Sequence, residues 1–150
     1  MAEGWWLIES PGTGIKPSEM VDRAGFIAQP LPMFNFERLD CWQHAIDFAD
    51  FVYDATGSFP NDERFGLTNQ MRRAAISISA NLAEGSSRSS KTDFARFIEN
   101  AAGSLFEVVS QAFIAKRRGL LSEEQFTHLY AAAEREGRML SGLRNAMLHD

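Results

Sequence analysis

From Leu39 to Met147 the apolar residues recur every three or four positions, with only short interruptions. That period belongs to helices that each bury one face. Leu39, Trp42, Ile46, Ala49 and Tyr53 step along a first helix, with Ala45, Phe48, Val52 and Ala55 beside them. Leu67, Met71, Ala74, Ile78 and Leu82 mark a second. Phe94, Phe97, Ala101, Leu105, Val108, Ala112 and Ala115 mark a third. Phe126, Leu129, Ala133, Leu140, Leu143 and Met147 mark a fourth. Four amphipathic helices with short connections bury their faces by closing on one another. The expected fold is all-α, an antiparallel up-down-up-down four-helix bundle over residues 34–150.

The interruptions carry the chemistry of helix ends. Gly57-Ser58-Phe59-Pro60 stops the first helix. Asn61 or Asp62 then caps the second, which runs to Glu84 with Gly85 as its C-terminal turn residue. Ser90 with Asp93 opens the third, and Gly119 stops it. Ser122 with Gln125 forms a capping box for the fourth. The third and fourth helices should each reach about 40 Å and the first about 27 Å. The longer pair then projects past the shorter one and leaves apolar surface for self-association.

Residues 1–33 break the pattern. They hold Pro11, Pro17, Pro30 and Pro32, with Gly4, Gly12, Gly14 and Gly25, and no period survives there. This stretch reads as an irregular tail. Met33 offers a second start, which would make the tail a product of gene-start assignment.

Composition narrows the class. A net charge of -5 disfavours nucleic acid or an anionic membrane in bulk. One cysteine, Cys41, excludes an internal disulfide framework and suits a reducing cytoplasm. No apolar run approaches the roughly 20 residues of a membrane span. Cys41 and His44, with Asp40 and Asp47 nearby, have the types but not the number for a metal site, since no second pair completes it. No phosphate loop or hydrolytic triad motif is present, so no cofactor is expected and the chain reads as non-enzymatic.

Within the stretch QMRRAAISISANLAEGSSRSS, Gln70, Arg73, Ser77, Asn81 and Glu84 fall on one side of the second helix. Asn100, Ser104, Glu107 and Gln111 form a matching line on the third. Two readings lead, a solvated polar flank or a partly buried network in which Arg73 meets Glu107 or Glu84 and Asn81 meets Ser104; a catalytic constellation is the third and least favoured. Gly103 costs roughly 1 kcal/mol relative to alanine in a helix, which close backbone approach there would explain.

These residues also carry a resemblance. The matching elements are Phe59-Pro60-x-x-Glu63, Leu67-x-x-Gln70-x-Arg72-Arg73-Ala74, Ser77-Ile78-x-x-Asn81-x-Ala83-Glu84-Gly85 and Gly103-Ser104-x-x-Glu107. The chain from about Phe34 to Leu148 resembles the four-helix bundle proteins encoded in intervening sequences of bacterial large-subunit ribosomal RNA genes. It is more distantly similar to the accessory variability proteins of diversity-generating retroelements. The resemblance implies a ring of five subunits and association with RNA or DNA through a basic surface. Its established biochemistry goes no further, and residues 1–33 have no counterpart in the pattern.

Charge distribution gives that implication a location. Between Asp62 and Arg118 there are 9 basic and 6 acidic residues, whereas the rest of the chain is net negative. Arg72, Arg88, Lys91, Lys116, Arg117 and Arg118 are the candidate phosphate contacts. Arg72, Arg88 and Lys91 are expected near the turn between the second and third helices, with Lys116-Arg117-Arg118 at the opposite end. Lys116-Arg117-Arg118 also has a structural reading, because cations offset the dipole at a helix C-terminus. The expected role is an oligomeric, nucleic-acid-associated scaffold. The alternative is a protein-interaction adaptor that binds no nucleic acid.

Overall fold

The computed structural model describes residues 34–149, and the expectations about residues 1–33 lie outside them. Helix α1 spans Asp40–Thr56, α2 Leu67–Ser86, α3 Lys91–Arg117 and α4 Glu123–Leu148. Short 3-10 turns at Asn35–Arg38 and Asn61–Glu63 precede α1 and α2. The described residues contain no strand.

Contacts across the helices fix their directions. Between α2 and α3, Ser77 meets Ser104 and Gln70 meets Gln111, so one number falls as the other rises. The same inversion links Glu99 with Arg144 and Phe113 with Phe126. It links His44 with Glu136 and Phe51 with His128. Neighbouring helices are therefore antiparallel. The C-termini of α1 and α3 share one end of the bundle with the N-termini of α2 and α4.

Several ends form as their residue types require. Ser90 accepts from the Asp93 amide at 3.1 Å, and Ser122 accepts from that of Gln125 at 3.0 Å. The Gln125 side chain returns a bond to the Ser122 amide. Gly119 has φ 73, a left-handed conformation that glycine adopts without a Cβ penalty. It lets Leu120 N–H reach the Ala115 carbonyl at 2.8 Å and Gly119 N–H reach that of Lys116 at 3.0 Å, closing α3 with a Schellman turn.

The second helix departs from expectation at both ends. Asn61–Glu63 makes only a 3-10 turn, and Gly66 at φ -106, ψ -116 separates it from α2. Glu63 instead reaches forward, and its carboxylate accepts from the Leu67 amide at 3.1 Å. At the far end Gly85 continues the helix and is buried. A Cβ there would stand 2.6 Å from Phe97 Cβ and 2.7 Å from Phe94 Cδ2. Gly85 lets α3 approach rather than turning the chain. Gly103 is the converse: nothing lies within 4 Å of an added Cβ, so close approach does not explain it.

The core is Phe48, Val52, Met71, Ile78, Leu82, Phe94, Ile98, Val108, Leu129 and Leu140, with alanines between. At the other end of the bundle Asn35 donates to the Ser86 carbonyl at 2.9 Å and accepts from its hydroxyl at 3.0 Å. That pair pins the first 3-10 turn to the end of α2.

The helical glycines should respond in opposite directions. Gly85→Ala gains helix propensity but drives a methyl into two phenylalanine side chains, so it should lose about 1–3 kcal/mol. Gly142→Ala, with nothing within 4 Å, should gain up to about 1 kcal/mol. Urea midpoints at fixed protein concentration check both, and a stabilised Gly85→Ala would refute the packing account.

Candidate nucleic-acid interface

The polar seam between α2 and α3 joins some of its expected members. Ser77 and Ser104 hydroxyls lie 2.9 Å apart. Asn81 donates to the Ser77 carbonyl at 2.8 Å and to its hydroxyl at 3.0 Å. Further along, Gln111 donates to Glu107 at 3.2 Å within α3. Glu84 turns outward to Arg88 at 3.1 Å. Arg73 is exposed and faces a different surface, so Arg73 meets neither acid. The joined part is thus Ser77, Asn81 and Ser104, while Glu84 and Glu107 are exposed.

A buried acid escaped the sequence reading. Glu136 on α4 is fully buried. Its carboxylate meets His44 Nδ1 at 2.6 Å and accepts from Cys41 Sγ at 3.5 Å. The Cys41–His44 spacing therefore serves this carboxyl. Burial pushes the Glu136 carboxyl above its ordinary value, with His44 pulling the other way. Burial and then the Glu136 charge push the Cys41 thiol well up, which removes it as a nucleophile at neutral pH. The signal was available: between Ala133 and Leu140, position 136 falls on the apolar stripe of α4, where an acid needs a partner.

The basic candidates divide differently from expectation. Arg72 lies in the second turn of α2, far from the turn into α3. It donates to Thr56 Oγ1 at 2.9 Å and to the Tyr53 carbonyl at 3.3 Å, and stacks 4.5 Å from the Tyr53 ring. It thereby caps α1 and shares an end with Lys116, Arg117 and Arg118. Arg88 and Lys91 sit at the other end, with Arg88 over the Phe97 ring at 4.7 Å. Lys116 pairs with Glu123 at 3.1 Å and lies 4.5 Å from the Phe126 ring. Arg117 and Arg118 are exposed.

Arg72 also borders a cleft of about 470 Å³ on the outer face of α2, with Tyr53, Arg64, Phe65, Asn69 and Arg73 around it. Phe65 is 85% exposed, and the Arg64 guanidinium lies 5.3 Å from its ring. No acidic side chain lines this cleft. Arg64 and Phe65 were not singled out from sequence, because a helix starting at Asn61 would have absorbed them.

The buried acid makes stability depend on pH. A carboxyl whose folded value is raised contributes stability that is present below its ordinary 4.5 and lost as pH rises through the folded value. Glu136→Gln should flatten that decline, as urea midpoints measured from about pH 4.5 upward would show. At neutral pH His44→Ala removes the partner of a buried carboxyl and should cost about 3 kcal/mol. A loss near zero would show that the pair is not a stability element.

The chain is similar to known proteins in two comparisons, and no curated protein matches it. A crystal structure of a protein of unknown function from the S23 ribosomal protein family of Bacteroides thetaiotaomicron shares the fold, at TM-score 0.63 and 19% identity. The match covers 69% of this chain and 97% of that one. The family model described as 23S rRNA-intervening sequence protein matches residues 37–142. That span takes in all of α1, α2 and α3 and most of α4, so the chain belongs to the 23S rRNA-intervening sequence protein family.

Proposed function

We propose that the chain is a non-enzymatic scaffold that assembles from copies of itself and associates with ribosomal or other RNA, or DNA, in the cytoplasm. The observation that carries this reading is a cleft whose charged lining residues are all arginine, on a chain of net charge -5. The family description, with its tie to 23S rRNA intervening sequences, supports the choice of nucleic acid. Arg117 and Arg118 add exposed charge at the same end of the bundle. Such contacts favour phosphate without reading bases, so binding should be largely sequence-independent and strongly salt-dependent.

Self-association rests on a different face. Phe106 is 74% exposed, and Phe113, Ile114 and Tyr130 are also exposed. Between α3 and α4 a groove of about 440 Å³ runs past Ala102, Gly103, Phe106 and Gly137. Exposed apolar surface of this kind favours burial against another molecule. A second copy is the occupant we favour, and five copies are the number the family resemblance implies. The groove equally suits a different protein, and that adaptor reading replaces the scaffold if the wild type binds no nucleic acid at the lowest salt tested.

Light scattering should give about five times the chain mass, and Phe106→Lys should lower it while leaving the helix signal intact. A monomeric wild type across the micromolar range would refute assembly. Filter binding to ribosomal RNA fragments should weaken steeply between about 50 and 200 mM salt. Arg117→Glu with Arg118→Glu should reduce both the affinity and the salt slope, and an unchanged slope would remove these residues from the interface.

A further inference from the structure

We infer that the cleft bordered by Arg64, Phe65 and Arg73 is a stacking site for unpaired nucleotides, so that the protein prefers single-stranded RNA to duplex. This rests on the nucleic-acid reading above and deepens it. The starting point is Phe65, at 85% the most exposed large apolar side chain among the described residues. An isolated exposed phenylalanine needs no explanation by itself. This one is not isolated. Arg64 lies 5.3 Å from its ring, and Arg72 and Arg73 share the cleft beside it.

No acidic side chain lines the cleft. Glu63, the neighbour in sequence, keeps its negative charge but directs its carboxylate to the Leu67 amide. Arg72 is held by Thr56 and the Tyr53 carbonyl, with its guanidinium against the Tyr53 ring. It therefore forms a fixed cationic wall. Arg64 and Arg73 are both exposed, and Asn69 supplies an amide at the same surface.

A ring with guanidinium groups around it matches an unpaired nucleotide. The ring takes a base face and the guanidinium groups take phosphates. A duplex offers the same phosphates but keeps its base faces stacked inside, so it leaves the Phe65 ring without a partner. A cleft of about 470 Å³ is of the size that holds a small ligand, here one stacked nucleotide. The preference follows from the ring, whereas the affinity shared with duplex follows from the cations.

The test uses the full chain and a fluorescent, unstructured RNA oligonucleotide of mixed sequence, read by anisotropy beside its duplex. Phe65→Ala should weaken single-strand binding about tenfold, the size expected for losing one base–aromatic stack. It should leave duplex affinity and both salt slopes unchanged, because no phosphate contact is lost. Arg73→Ala should weaken both forms and lower the single-strand slope by about 0.7. Unchanged single-strand affinity in Phe65→Ala, or equal wild-type affinity for both forms, overturns the inference and leaves the scaffold reading standing. A fall in light-scattering mass for Phe65→Ala also overturns it, by making the cleft a contact between copies. Absence of all RNA binding by the wild type overturns this inference, and absence of DNA binding as well removes the scaffold reading.

Discussion

The close approach of α2 to α3 sets the rest of the molecule. Gly85 has a neighbouring ring and a Cβ where its own Cβ would have to be, so the two helices converge at the start of α3. Further along the pair, Ser77 and Ser104 are small enough for their hydroxyls to meet at 2.9 Å. On the opposite side of α2 from Ser77, Ser79 bonds back to the Ile76 carbonyl at 3.0 Å, and the Ser86 hydroxyl lies between the Ala83 carbonyl at 2.7 Å and Asn35 Oδ1 at 3.0 Å. A hydroxyl that bonds within its own helix is small and leaves little polar surface to satisfy elsewhere. The Ser77 and Ser104 hydroxyls share a single hydrogen bond, and the Ser77 hydroxyl also accepts from Asn81. These bonds meet much of the polar demand of α2, while across the seam Gln111 Oε1 is buried without a partner among the described residues.

That convergence decides which groups share an end. With α2 and α3 antiparallel and tightly paired, Arg72 and Arg73 lie near the C-terminus of α3 rather than near its start. Arg72 then caps α1, whose last turn ends on the buried Thr56. A cation at that position offsets the negative end of the α1 dipole. The same side chain thus has a structural role and borders the outer cleft. Sequence alone shows two adjacent arginines. It does not show that one faces the α1 terminus and the other faces solvent.

The helices themselves were legible because their stripes are long and their caps are specific. Ser90, Ser122 and Gly119 each have one local conformation that satisfies nearby backbone groups, and each adopts it. The errors have a common cause in residues whose local and tertiary roles compete. Gly85 has the composition of a helix stop, but the Phe94 and Phe97 side chains across the seam require it inside the helix. Glu63 resembles a first-turn acid, yet it acts from outside α2 on Leu67. Glu136 breaks an apolar stripe and is paired by groups more than 90 residues away. No local pattern gives such a partner. The cleft was illegible for a related reason: Arg64 and Phe65 come together with Tyr53 and Arg72 only once α2 begins at Leu67.

A negative chain and a cationic cleft are compatible because charge acts locally in salt. At physiological ionic strength exposed charges are largely screened beyond about 8 Å. Asp47, Asp50 and Asp54 are exposed on α1, and much of the net negative charge lies on such surfaces. Asp54, Asp62 and Glu63, close in sequence to Tyr53 and Arg64, weaken a phosphate contact at the cleft, whereas acids farther than the screening length from Arg64 and Arg73 impose little on it. They do act on approach at low salt, where screening is weaker and the whole-chain charge opposes a polyanion. On the proposed reading, the cleft's own lining governs the bound state, and the acidic face governs the encounter. Assembly would multiply both, presenting several clefts to one strand while repeating the acidic faces. Multivalent contact raises affinity only if the strand can span from one cleft to the next. A flexible single strand meets that condition more readily than a stiff duplex, so the geometry of an assembly favours the same ligand as the exposed ring.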